Sequence, residues 1–190
     1  GRVGRPDRPV EPNCRSGQQG RMRGGVNVRG RKSRARRARG GPEPPPCLLR
    51  AQLGAHALAA HLHAGKGAIE GRHREQFIER GGRITGSLNF DDAMRLDAPN
   101  DPRWDYILGI ARSDERSVEA VEVHRATAGE VDTVIAKTIW SQRKLENAGV
   151  RVRLWHWLAT SACPSFPSTS SAARRLASAG IALPKRTFVA

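Results

Sequence analysis

Residues 103–124 read RWDYILGIARSDERSVEAVEVH. Side chains of a strand alternate between its two faces, so the period of two in this stretch predicts a hairpin closed by the polar turn ARSDERS. On the first strand Trp104, Tyr106, Leu108 and Ile110 share one face, and Asp105, Ile107 and Gly109 share the other. On the second, Val118, Ala120, Glu122 and His124 fall opposite Glu119, Val121 and Val123. Each strand thus carries a carboxylate where a core would take a hydrocarbon: Asp105 between Trp104 and Tyr106, Glu122 between Val121 and Val123.

Downstream, Thr127 and Glu130 have capping-box spacing, and Val131, Val134, Ile135, Thr138 and Ile139 form the apolar stripe of a helix running to about Asn147. Gly149 suits its end. VRVRLWHWL, residues 150–158, alternates again and predicts a strand. Strand, long helix, strand implies a right-handed crossover and a parallel pair. A loop at 164–171, a short helix at 172–178 and a last strand at 186–189 complete the C-terminal part.

Upstream, PEPPP (residues 42–46) stops any helix. Leu48, Leu49, Leu53, Leu58 and Leu62 then follow helical spacing. His56, His61 and His63 read as polar positions of that helix, because His61 and His63 diverge on a helical surface. AIEGRHREQFIERGG, residues 68–82, follows as a further helical segment carrying Glu70 and Glu75 and ending in a glycine pair suited to a C-cap. RITGSLNF (83–90) predicts a strand, and Asp91 and Asp92 open a short helical turn where acids favour the dipole.

The first 50 residues hold 14 Lys or Arg against three acids, so most of the +15 net charge belongs to the N-terminal part. All nine aromatic residues lie at or after Phe77. Residues 1–46 lack the apolar surface needed to offset chain entropy and read as a disordered Arg/Gly/Pro-rich tail. Its densest run, RGRKSRARRARGG, suits an electrostatic arm for nucleic acid or a solvated tail. With no Met at its start, the same bias also fits translation of GC-rich sequence outside the native coding frame. Cys14, Cys47 and Cys163 have no CxxC spacing, which fits a reducing cytoplasm, and no apolar run reaches the length of a membrane span. The expected organisation is therefore a tail, 1–46, followed by one α/β domain, 47–190.

The strand pair with an acid in each strand, then a helix and a parallel strand, resembles the PD-(D/E)xK nuclease superfamily over about residues 66–158. An uncharacterised bacterial family with similar WDY and EVH segments is also similar. The resemblance implies a restriction-endonuclease-like core: a helix, a meander of antiparallel strands, a crossover helix and a parallel strand. It implies Mg²⁺ or Mn²⁺ held by Asp105 and Glu122, with Glu75 or Glu70 as a helix-borne third acid, and DNA or RNA as substrate. Hard divalent cations take oxygen ligands, and they generate a nucleophile from bound water.

The family's acid–x–lysine motif is broken here, because His124 stands where lysine belongs. Three outcomes follow. His124 serves as general base, Lys137 supplies the ammonium from the next helix, or the site is inactive. The alternative function is a non-catalytic interaction or regulatory protein; in a purely structural reading Asp105 caps its strand start or pairs with Arg103, and Glu122 pairs with an arginine such as Arg151 or Arg153. Trp155 and Trp157 interleaved with Arg151 and Arg153 suit base stacking, but packing under a helix is the commoner use of such residues.

Overall fold

In the computed structural model, residues 45–160 and 166–190 are described. The expected tail falls almost wholly on residues 1–44, outside the described residues.

The chain from Pro45 builds a mixed α/β fold around a six-stranded sheet. The strands are β1 (Leu62–Ala64), β3 (Gly82–Asn89), β4 (Tyr106–Arg112), β5 (Arg116–His124), β6 (Leu154–Ala159) and β7 (Ile181–Lys185), with β2 (Phe77–Ile78) and β8 (Phe188–Val189) forming a separate parallel pair. Sheet order is β1-β3-β4-β5-β6-β7; the pairs from β1 to β5 are antiparallel and the last two are parallel. The hairpin and the parallel crossover expected from residues 103–158 are both present.

One face of the sheet is covered by α1 (Leu48–Leu53), α2 (Phe90–Met94), α3 (Val131–Asn147) and α4 (Ser171–Ser178), which share a core with Ile107, Ala120, Trp155 and Trp157. The other face buries Tyr106, Leu108, Ile110, Val121 and Val123 under Ile69, Phe77 and Phe188. Because both faces are covered, β4 and β5 are buried along nearly their whole length. The two tryptophans of β6 are thus helix-packed, in keeping with the commoner reading of their spacing.

Local corrections have physical causes. The leucine-rich segment is not one helix: Gly54, at φ 51°, ends α1, and a 3-10 turn (Ala57–His61), capped by the His56 ring, leads directly into β1. Residues 68–82 form a 3-10 turn (Gly71–Gln76) and the short β2, with Phe77 buried against Phe188. No capping box forms at α3, since Thr127 makes no side-chain cap and Glu130 turns to His124 instead. Ile139 of the expected stripe is exposed, and Ser141 and Leu145 are buried in α3. Trp104 precedes β4 and leaves the strand alternation. Its backbone N–H donates to Ser141 Oγ and its indole N–H to Thr138 Oγ1, which draws it onto α3. After α4 the chain forms β7, at 181–185, and the expected last strand is reduced to β8.

The close seat of α1 depends on two glycines. Gly86 and Gly109 are register partners on β3 and β4, and a Cβ on Gly109 would lie 2.7 Å from Cys47 Sγ and 3.3 Å from Leu49 Cβ. Gly109→Ala is therefore expected to destabilise the protein by about 1–3 kcal/mol through overpacking. Cys47→Ala in the same chain should recover part of the loss, read from urea-unfolding midpoints; no recovery would show that the clash lies elsewhere.

Candidate functional site

The β4–β5 ladder sets Tyr106 opposite Val121. Continuing that antiparallel register by one residue sets Asp105 opposite Glu122, on the sheet face that carries the helices. Asp105 is anchored on two sides. Its Oδ2 accepts the Val123 N–H at 2.8 Å, and its carbonyl accepts the N–H of Phe90 at 2.8 Å, where α2 begins. Glu122 is buried at 1% exposure, and Lys137 reaches it from α3, with Nζ 2.5 Å from Oε1. Asp105, Glu122 and Lys137 are thus gathered at one place by a strand register and a crossover helix.

The electrostatics follow from burial. Loss of water pushes the Glu122 carboxyl up to about 8, the neighbouring Asp105 charge adds to the rise, and Lys137 opposes it. Burial likewise raises Asp105, against the Val123 hydrogen bond and Lys137. Among the described residues Glu122 Oε2 has no hydrogen-bond partner, and neither does Nε1 of Trp157, its register partner on β6.

Asp105 also opens onto a polar cleft of about 290 Å³ beyond the carboxyl ends of β5 and β6, lined by Glu70, His73, Asp91, Tyr106 and Thr160 among others. Arg72 pairs with Glu70, and Arg95 and Arg103 pair with Asp91. His73 Nδ1 lies 2.9 Å from the Tyr106 hydroxyl, whose acidity burial weakens to about 12. A larger hollow, about 700 Å³, lies between the end of α3 and residues 149–152, but it gathers no buried acid or base. The smaller cleft is therefore the better candidate.

Of the residues singled out from sequence, Asp105, Glu122 and Lys137 converge. His124 is on the same strand face as Glu122, but its Nε2 lies 3.2 Å from Glu130 Oε2. Glu75 is exposed on the 3-10 turn and is not among the cleft residues, whereas Glu70 is. The arginine pairings of the purely structural reading do not form, since Arg103 takes Asp91 and Arg153 takes Glu115, although Asp105 does accept a backbone N–H, from Val123.

Sequence reasoning missed Glu119, buried on the opposite face of β5. Burial alone would raise its pKa, but hydrogen bonds from His156, Arg112 and Ser117 hold it down at about 2. The signal was available, since alternation placed Glu119 beside Val121 and Val123. Asp91, read as a helix-terminal charge, also lines the cleft.

Among the described residues no group of three or more His, Cys, Asp or Glu side chains is arranged to hold a metal ion. The donor set is instead a pair of carboxylates with one unsatisfied buried oxygen. A Mg²⁺ site commonly uses one or two protein carboxylates with retained waters, and of these two acids Asp105 lines the cleft while Glu122 is buried at 1% exposure. No helix among the described residues is long and apolar enough to cross a membrane. Compared with known proteins, the chain matches no family model, no curated protein and no solved structure.

The two buried glutamates have opposite pH signatures. Glu119 binds its proton less tightly folded than unfolded, so its contribution is present above pH 4.5 and is lost as pH falls toward 2. Glu122 binds its proton more tightly folded, so its contribution is full below pH 4.5 and is lost as pH rises toward 8. Urea unfolding should accordingly show Glu122→Gln gaining on the parent protein between pH 5 and 8. A constant difference across that window would contradict this assignment.

Proposed function

We propose that the chain is a divalent-metal-dependent nuclease with a restriction-endonuclease-like, PD-(D/E)xK-type core, acting on DNA or RNA with Mg²⁺ or Mn²⁺. The observation that carries this reading is the convergence of Asp105, Glu122 and Lys137. The order of elements supports it too, with β3, β4 and β5 as the antiparallel meander, α3 as the crossover helix and β6 as the parallel strand. Two features depart from the superfamily pattern: a 3-10 turn stands where a helix was expected at 71–76, and His124 replaces the motif lysine.

In this reading Lys137 restores from α3 the cationic group that the strand lacks. Asp105 and Glu122 would hold the divalent cation, which supplies a water of lowered pKa and neutralises charge developing on the phosphate. The Val123 N–H keeps the Asp105 carboxylate aimed, and the wall formed by α3 keeps the local dielectric low, where fixed charges act most strongly. The cleft beside Asp105 would receive the scissile phosphate, and His73 and Tyr106 would border the reacting group.

A second reading, a nuclease-derived fold used for binding or regulation, draws on a different observation. Glu122 is closed off by Lys137, and its unpaired Oε2 has the unpaired Trp157 N–H on the neighbouring strand. One buried water could satisfy both groups and leave no room for chemistry.

Cleavage by the full chain separates these readings. Incubation with plasmid DNA and with structured RNA in Mg²⁺ or Mn²⁺ should give metal-dependent products that EDTA abolishes. Asp105→Asn and Glu122→Gln should each slow cleavage by about 10²-fold or more, the scale of losing one electrostatic contributor to the transition state. Cleavage unchanged by Glu122→Gln would put the chemistry elsewhere. Retained nucleic-acid binding with no cleavage in any metal would favour the second reading.

A further inference from the structure

Two carboxylates meet at the β4–β5 register, and a single ammonium faces them. Lys137 contacts Glu122 at Oε1, leaving Oε2 without a partner among the described residues, while Asp105 uses one oxygen on the Val123 N–H. When both acids are ionised, the one ammonium balances only one of their charges, at a place where Glu122 is 1% exposed. A divalent cation would balance both. It cannot share Oε1 with the ammonium, because like charges a few ångströms apart in a poorly hydrated site repel strongly. Lys137 has a way out: its side chain is 20% exposed and rests on a flexible four-carbon stem.

Resting on the metal-site reading above, we propose that the Lys137 ammonium is the resident counter-ion of the Asp105–Glu122 pair. A divalent cation enters by displacing it, so that Lys137 sets how readily the site is occupied. The exchange is a replacement of one cation by another. Lys137 keeps its proton and moves off Oε1 toward solvent. This gives the lysine a role before any chemistry, that of keeping the empty carboxylate pair stable and excluding weakly held cations.

The test uses the full chain and Mn²⁺ alone as probe. Mn²⁺ binding is followed by calorimetry, and lysine accessibility by acylation with mass-spectrometric readout. Mn²⁺ should raise acylation of Lys137 several-fold while Lys144, which is exposed and lies 5.3 Å above the Trp140 ring, stays constant. Lys137→Met should bind Mn²⁺ about tenfold more tightly than the parent, equivalent to about 1.4 kcal/mol. If that variant fails to fold by near-ultraviolet circular dichroism, the labelling of the parent protein decides. Mn²⁺ binding that Glu122→Gln abolishes, with Lys137 labelling unchanged at saturation, would overturn the displacement while leaving the metal site standing. So would a folded Lys137→Met that binds no more tightly than the parent. No Mn²⁺ binding by either protein would overturn both.

Discussion

The register of β4 against β5 is the constraint on which the candidate site depends. Tyr106 faces Val121, and every other placement near the site follows from that pairing. A slip of one residue would turn the acids to opposite faces and expose one of the two apolar faces that cover the sheet. The register is held from both sides by burial: Tyr106 and Val121 pack under Phe77 and Phe188, and Ile107 and Ala120 pack under the helices. The hydrogen bond from Val123 to Asp105 extends the pairing one step past the ladder. Packing and polar chemistry therefore reinforce the same alignment.

That alignment costs the fold something. Glu122 loses nearly all its water, and one of its oxygens stays unpaired among the described residues. A buried ion pair seldom stabilises more than a well-packed hydrocarbon would, so a bare requirement for stability does not explain Glu122 with Lys137. Glu119, on the same strand, shows the contrast. Its carboxylate accepts from an arginine, a serine and a histidine, and it is held ionised well below the usual range. One strand carries a fully satisfied acid on one face and an under-satisfied acid on the other. The under-satisfied acid is the one beside Asp105, where burial and the neighbouring acid make it hold its proton far more tightly than usual, the kind of perturbation that marks a candidate site.

The hairpin and the crossover were legible because their signals are local. Alternation in residues 103–124 and 150–158, and the 3.6-residue stripe between them, each reflect burial of one element against its neighbours. The segment before β3 was less legible. Its leucines have helical spacing, but Gly54 ends the helix early, and Leu62 pairs with Leu88 on β3 in a contact no local pattern encodes. Residues 71–78 failed for a related reason. Phe77 and Ile78 pair with Phe188 and Val189, more than a hundred residues away, and that pairing overrides helical propensity.

Local patterns alone specify the order of the central elements and the residue types of the candidate site, Asp105, Glu122 and a displaced lysine. These follow from periodicity and from acids in apolar strands, properties that neighbouring residues carry. Tertiary structure alone decided which basic group meets Glu122. His124 is two residues away in sequence yet turns to Glu130, while Lys137, fifteen residues away, arrives because α3 packs back across β5. It also decided that Glu70 rather than Glu75 borders the cleft and that Trp104 leaves its strand for Ser141 and Thr138. The physical reason is common to all three. A side chain's partner is set by the path of the backbone through space, and that path is closed by contacts between residues far apart in the chain.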